Sequence, residues 1–516
     1  MNYIQLFRST LPETVLEVAA LIVLFVDLGF LRKATSSTRS TVAAFLGVIG
    51  CGIALAAVGS AGPFISGGEV LLASGGSATV AQCAILLLTA LTLFLLVGNQ
   101  FTRNPGEYVA VVLMSAAGGL LISAAQDLLV IFIGLELLSL GLYILTAFAK
   151  QSAKSAESAL KYYLFGGMSA AFLLFGFTYL YGLSGSTYLP RVVMGTYFAS
   201  ASGGAPLLYI ALVMIAAGLG FKVAAVPFQF WAPDTYEGAP APAAAFIASV
   251  SKVASFALLI SISTATLHYY QSLGFDRIVI MGGLQLLPGA SILKPLLGIR
   301  YGWPLILTIL ATASMVFGNL AALAQISVRR LIAYSAIAHA GYILLGLAFF
   351  SFTDRSAQAI LYYILTYGLT TVGAFGVVSV VENATGTDRL DGFLGLHKRN
   401  PLLAAVLLIL FLSLAGIPPL VGFWAKFNLF AAVLAVGGGA VPFTLVALAV
   451  AFSAVSLYYY LQVLKRAYVM PPADESRIHA HPVTMTVLVL IAAGVIILGC
   501  FPELLQNWIT SFYAHP

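Results

Sequence analysis

Apolar stretches long enough to cross a bilayer follow one another along this chain, with only short polar connections between them. About 17 or more mostly apolar residues suffice to span the hydrocarbon. Fourteen such stretches occur, near 13–32, 41–59, 78–98, 107–123, 126–149, 157–183, 207–233, 240–266, 304–325, 330–350, 357–381, 401–436, 441–468 and 483–501. Backbone polar groups in lipid must be satisfied within their own segment, which favours helices. The pattern predicts an all-α polytopic membrane protein of about 14 transmembrane helices, forming one membrane domain over 1–516. The first stretch lacks a basic leader and a small-residue cleavage site, and Glu13 and Glu17 lie near its start. It is expected to be a retained span, not a secretory signal.

Two spans are interrupted. The seventh carries Pro227 and Pro233, and the twelfth carries Gly416-Ile417-Pro418-Pro419. Proline has no N–H to give and crowds the preceding turn, so both helices should break there. The breaks lie five spans apart, and an odd offset makes the two helices cross in opposite directions. That arrangement predicts two inverted five-helix repeats. Helices 4–8 (107–266) stand against helices 9–13 (304–468), with 13–98 and 483–501 peripheral. Incidental kinks are the competing reading. The long connection at 268–303 is expected to be a surface hairpin or a re-entrant segment. Pro502–Tyr513 reads as a short interfacial helix with Leu504, Leu505, Trp508, Ile509 and Phe512 on one face.

Composition sharpens this picture. Apolar residues make up 61% of the chain and charged residues 8%, against about 25% charged in soluble domains. Fourteen Lys and Arg fall in connections after odd-numbered spans, six on the opposite side and four within spans. Basic loops stay cytoplasmic, so both termini are expected on the non-cytoplasmic side. The net charge of +6 then needs no nucleic-acid partner. Cys51, Cys83 and Cys500 lie in or beside apolar spans without a CxxC spacing. They read as packing residues with no metal, cluster or disulfide role. No glycine-rich phosphate loop follows a strand pattern, which argues against nucleotide binding.

The candidate chemistry lies in five ionisable residues inside the spans: Glu136, Lys161, Lys222, Lys252 and Lys426. Each costs about 2.5–3.5 kcal/mol at a helix centre even on the lenient insertion scale. A set of them points to a polar path for an ion, most simply for protons. Glu136 is too far from either end of its helix to reach water, so it is expected to be protonated or paired, with Lys222 the natural partner. A lysine held away from water exchanges its proton more readily, which suits Lys252 and Lys426 to relay work. His339, central in the tenth span, suits a relay between two lysines. The competing readings are a structural salt bridge for Glu136, and for Lys252 a lysine bonding the carbonyls of a broken helix. For Lys426 and Lys161 the competitor is snorkelling, with Glu157 a helical partner of Lys161. His339 could be a hydrogen-bonded core residue. Asp234 and Glu237 are expected in a loop. Tyr362, Tyr363 and Tyr458-Tyr459-Tyr460 are expected to pack, not to carry protons.

Several stretches resemble a known family. They are Gly134-Leu135-Glu136-Leu137-Leu138-Ser139-Leu140, Ala159-Leu160-Lys161-Tyr162-Tyr163, Gly220-Phe221-Lys222 through Phe230-Trp231-Ala232-Pro233-Asp234 to Pro240, Ala333 through His339 to Tyr342, and Ala415-Gly416-Ile417-Pro418-Pro419 through Trp424-Ala425-Lys426-Phe427. Together they resemble the N subunit of the proton-pumping NADH–quinone oxidoreductase, respiratory complex I, within the antiporter-like subunit family. The resemblance implies fourteen helices in two inverted halves. It implies a proton-transfer set of Glu136, Lys222, Lys252 and Lys426, with Lys161 and His339 on a supporting polar axis. It also implies a bacterial inner-membrane subunit with M-like and K-like neighbours and lipid contacts. Quinone is bound elsewhere in the complex, and flavin and iron–sulfur clusters sit on partner subunits, with no cofactor on this chain. The alternatives are an Mrp-type cation/proton antiporter subunit and a scaffold whose charges only hold broken helices together.

Overall fold

A computed structural model describes residues 3–99, 101–199, 203–272, 294–350, 354–436, 439–472, 474 and 476–514. The connection expected to form a hairpin or re-entrant segment lies outside these residues over 273–293. The chain is a helical membrane bundle. Among the described residues, twelve helices are long and apolar enough to cross a membrane. The first expected span is helix α1 (Leu11–Gly29), which carries Glu13, Glu17 and Asp27. Helices α2 (Ser36–Val58), α3 (Gly76–Phe94), α4 (Pro105–Ala124), α5 (Leu128–Thr146) and α6 (Ala153–Ser184) follow. The seventh span divides into α7a (Ala205–Val223) and α7b (Trp231–Gly238). Next come α8 (Ala241–Thr266), α9 (Gly302–Leu323), α10 (Val328–Ala348) and α11 (Arg355–Thr385). The twelfth span divides into α12a (Pro401–Ala415) and α12b (Val421–Ala435), and α13 (Ala440–Tyr468) and α14 (Pro482–Cys500) complete the set.

Helices α8, α10 and α11 are buried almost throughout, whereas α6 and α13 show wide apolar faces outward. Lipid tails are as apolar as leucine, so helix association in a bilayer rests on close packing through small residues. Gly118 on α4 lies against the backbone at Gly134 and Leu138 of α5. Gly318 on α9 lies in the same way against Tyr334 and Ala338 of α10. A Cβ on either glycine would come within 2.6 Å of a backbone nitrogen of the facing helix.

The loops repeat this correspondence. At the start of α5, Leu128 N donates to Thr187 O and Leu189 N to Gln126 O, both at 2.9 Å. At the start of α10, Val328 N donates to Asp388 O and Leu390 N to Ile326 O, again both at 2.9 Å. Asp127 and Ser327 cap the respective helices with their side chains, satisfying donors that helix geometry leaves unpaired.

The peripheral helices are tied in by charge. Arg39 on α2 grips Asp27 on α1 through two hydrogen bonds of 2.7 and 2.6 Å and donates to Arg103 O before α4. A small hairpin that the hydropathy pattern did not suggest pairs β1 (Phe64–Ser66) with β2 (Glu69–Leu72). Its turn uses Gly67 and Gly68 at φ 61° and 83°, conformations that glycine adopts without a Cβ clash. The helix after the last span, Pro502–Ala514, packs on α3 and α11.

Candidate functional site: a buried row of cations

Both breaks fall where the prolines place them, and each half-helix ends in a left-handed residue. Ala224 closes α7a at φ 59°, and Gly416 closes α12a at φ 87°. Pro233 does not contribute to the break: it sits in the first turn of α7b, where a missing N–H costs nothing. Asp234 and Glu237 are therefore helical, not loop residues. The freed backbone groups find protein partners, as irregular backbone at membrane depth requires. Trp231 donates its indole N–H to Phe221 O at 2.9 Å, and Ser314 Oγ on α9 accepts from Val226 N at 2.9 Å.

Lys222 lies in the last turn of α7a, where the helix dipole favours a cation. Its ammonium does not form an ion pair with Glu136. It donates to Ser139 Oγ, one turn along α5 from Glu136. Glu136, only partly buried, still acts on Lys222 through space. The expected carboxylate–lysine pair is thus an electrostatic neighbourhood with a serine at the point of contact. Ser139 carries no charge, so a reading of charged residues passes over it.

Lys252 follows directly on a π-helical turn at Ile247–Ser251, a distortion that often marks functional positions. Its ammonium donates to Ala336 O of α10 at 2.6 Å and lies 5.8 Å from the centre of the Tyr367 ring. Lys426, on α12b, reaches back to the end of α12a. It donates to Leu414 O at 3.1 Å, Ala415 O at 2.8 Å and Ser453 Oγ at 2.8 Å. Carbonyl-capping therefore describes Lys426, and snorkelling does not, since the residue is buried. Gly416 serves Lys426 as well as the break, because a Cβ there would come within 2.9 Å of the lysine's side chain.

His339 on α10 stands between the last two lysines, and both act on it electrostatically. Its Nδ1 is hydrogen-bonded to Tyr363 Oη at 2.8 Å, and its ring packs against Tyr342, Tyr363 and Tyr367. Tyr363 thus packs against His339 and is also its hydrogen-bonding partner. Tyr459 and Tyr460 are likewise fully buried and hydrogen-bonded, and only Tyr458 of that run faces outward. Among the described residues, no ion pair involves Lys222, Lys252 or Lys426.

Lys161 is placed differently from the sequence expectation. Its side chain is 42% exposed and bridges Glu157 at 2.8 Å and Asp234 at 2.9 Å. It belongs to a charged cluster at one end of the bundle. There Arg330 pairs with Asp234 and Glu237, Lys154 with Glu237, and Arg329 with Glu382. The cluster opens on a groove of 730 Å³ that Leu164, Phe165, Phe230 and Phe317 also line. Partial burial works to raise the Asp234 and Glu237 carboxyls. The hydrogen bonds and charges of Lys161, Lys154 and Arg330 outweigh it, holding both below their ordinary values. Among the described residues no group of three or more His, Cys, Asp or Glu side chains is placed to hold a metal.

A helical membrane bundle with two broken helices and a buried row of cations defines an antiporter-like membrane subunit. The chain belongs to the family described as NADH:quinone oxidoreductase/Mrp antiporter, transmembrane, which matches residues 125–292 and 278–453, and within it to the N subunits of NADH–quinone oxidoreductase. The NADH-quinone oxidoreductase subunit N 2 of Acidobacterium capsulatum is 44% identical, covering 99% of both chains. The NAD(P)H-quinone oxidoreductase subunit 2 of Thermosynechococcus vestitus is 37% identical over 91% of this chain and 83% of its own length. A chain of respiratory complex I from Thermus thermophilus, solved with bound aureothin, superposes with a TM-score of 0.74 at 32% identity. That match covers 96% of this chain and 98% of the other. A chain of the Mrp complex from Dietzia superposes with a TM-score of 0.77 at 19% identity, covering 98% and 97%, a likeness of fold alone.

Proposed function

We propose that this chain translocates protons as a membrane subunit of an NADH–quinone oxidoreductase, passing them along Lys222, Lys252, His339 and Lys426. The observation that carries the reading is the state of the three buried lysines. Each ammonium is held by neutral oxygens and none by a carboxylate contact. A neutral acceptor serves the amine before and after it loses a proton, whereas a carboxylate contact would hold it charged. His339 neighbours both Lys252 and Lys426 electrostatically, and its Nδ1 shares a hydrogen bond with the Tyr363 hydroxyl.

Glu136 sets the charge state at one end. A change in its protonation alters the field at Lys222, and the effect passes to Lys252 and Lys426 by coupled electrostatics. Quinone chemistry elsewhere in the complex would supply that change. Lys161 lies off this route, in the charged cluster at the bundle end. We assign the two halves, 107–266 and 304–468, as inverted repeats. The matched glycine contacts of α4–α5 and α9–α10 and the matched loop pairings before α5 and α10 support this. M-like and K-like subunits are the expected neighbours in a bacterial inner membrane, with the loop-borne basic residues on the cytoplasmic face and both termini on the other.

The test is proton movement per NADH by the native assembly in sealed vesicles, with Lys222, Lys252 and Lys426 changed singly to methionine. Loss of pumping supports the reading. Full pumping by all three variants overturns it, and sodium-dependent transport by the isolated chain would favour cation/proton antiport.

A further inference from the structure

The charged cluster at the bundle end lies off the proton route, yet one side chain ties it to Lys222. Trp231 opens α7b and gives its indole N–H to Phe221 O at 2.9 Å, the carbonyl just before Lys222 in the last turn of α7a. The indole is 2% exposed and stacks on Tyr162 of α6, with ring centres 4.3 Å apart and planes 4° from parallel.

The two breaks carry the same Phe-Trp-Ala run, at 230–232 and 423–425, and use it differently. Trp424 donates to Gly499 O on α14 at 2.8 Å, and the carbonyls at the end of α12a are met by Lys426 itself. At the α7 break the indole meets a carbonyl of the last turn, and the Lys222 ammonium is left for Ser139. A carbonyl freed at a helix end inside the membrane needs a donor. Which side chain supplies it decides where the neighbouring lysine can reach.

Helix α7b is itself gripped from both halves of the bundle. From α6, Lys161 pairs with Asp234 and Lys154 with Glu237, and Ser158 Oγ donates to Asp234 O at 2.9 Å. From α10, Arg330 reaches both carboxylates, at 2.7 and 2.9 Å. Arg329, 5% exposed, donates to Ala239 O at 2.7 Å and pairs with Glu382 of α11. Charge-assisted bonds of this kind are stronger than neutral ones. An eight-residue helix held by so many has little freedom, and Trp231 is carried on it.

We propose that α7b is a clip that sets the reach of Lys222, with Trp231 as its positioning residue. The ion pairs of Asp234 and Glu237 fix α7b, and α7b fixes the indole. The indole fixes the last turn of α7a so that the ammonium rests on Ser139 and not on Glu136, one turn away on α5. When the clip loosens, the ammonium moves to the carboxylate and is held charged there. Trp231 carries no proton. The inference rests on the proposed proton role of Lys222.

The experiment uses the native assembly in sealed vesicles and reads protons moved per NADH across pH, together with the amount of assembled complex. Trp231→Phe keeps an aromatic ring against Tyr162 and removes the N–H. The expected result is a normal amount of complex with a lower proton yield and the pH of half-maximal yield moved upward. The upward sign follows because an ammonium that has reached Glu136 gives up its proton less readily. Asp234→Asn, which loosens α7b at its ion pairs, should move the midpoint the same way. A direct effect of the lost Asp234 charge would move it downward, since removing an anion eases proton release. Trp508→Phe, in the helix after the last span, should leave yield and midpoint as they were. An unmoved or lowered midpoint in either α7b variant, while Lys222→Met has lost pumping, overturns the clip and spares the parent reading. Wild-type yield in Lys222→Met overturns both.

Discussion

The Lys222 ammonium rests on Ser139 Oγ, and Ser139 stands three residues after Glu136 on the same helix. Residues so spaced share a helix face, so the serine separates the two charges without removing the field between them. A lysine in this position can answer to Glu136 while remaining free to lose its proton. Ser139→Ala leaves a buried donor without its partner, at a cost of about 1–3 kcal/mol. The expected outcome is an assembled complex whose proton yield per NADH falls towards that of Lys222→Met. Ser139→Thr, which keeps the hydroxyl, should retain most of the yield. Vesicle proton uptake against NADH oxidation measures both.

Charge and exchange can be separated at Lys252. Arginine keeps the charge but does not release a proton at accessible pH. If Lys252 only neutralised the Ala336 carbonyl, Lys252→Arg would pump. The expected outcome is that Lys252→Arg and Lys252→Met both assemble and both lose proton translocation in the same vesicle assay.

The glycine contacts of the two halves should be equally intolerant. A methyl group at Gly118 or Gly318 meets backbone, not the end of a flexible side chain. Overpacking of this kind costs about 1–3 kcal/mol, occasionally more. Gly118→Ala and Gly318→Ala should each lower the thermal midpoint of the membrane assembly and the amount recovered, whereas Gly167→Ala, with open space around it, should change neither.

The charged cluster gives a pH dependence of defined sign. Asp234 and Glu237 are held below their ordinary values by their cationic neighbours. A carboxylate depressed in the folded state contributes stability above its unfolded value and loses it as pH falls through the lower folded value. Relative to wild type, Asp234→Asn should therefore be less stable at neutral pH. The difference should persist down to about pH 4, the ordinary carboxylate value, and vanish only in stronger acid. Thermal midpoints of both proteins across pH test this.

The sequence by itself determined the helical membrane fold of about fourteen spans and the two breaks. Each of these is a local property. Hydropathy decides whether a segment crosses the bilayer, and a proline interrupts the helix that contains it. The tertiary structure decided what each charge meets. Ser139, the Ala336 carbonyl and the end of α12a became acceptors for lysines. Lys161 joined an exposed cluster, and Tyr363, Tyr459 and Tyr460 became hydrogen-bonding members of the interior. None of this could be read from periodicity, because in a membrane both the protein interior and the lipid are apolar. The hydrophobic pattern that marks the buried face of a soluble helix therefore carries little information here. Which face turns inward is fixed by the neighbouring helices, through glycine contacts and hydrogen bonds between residues far apart in the chain.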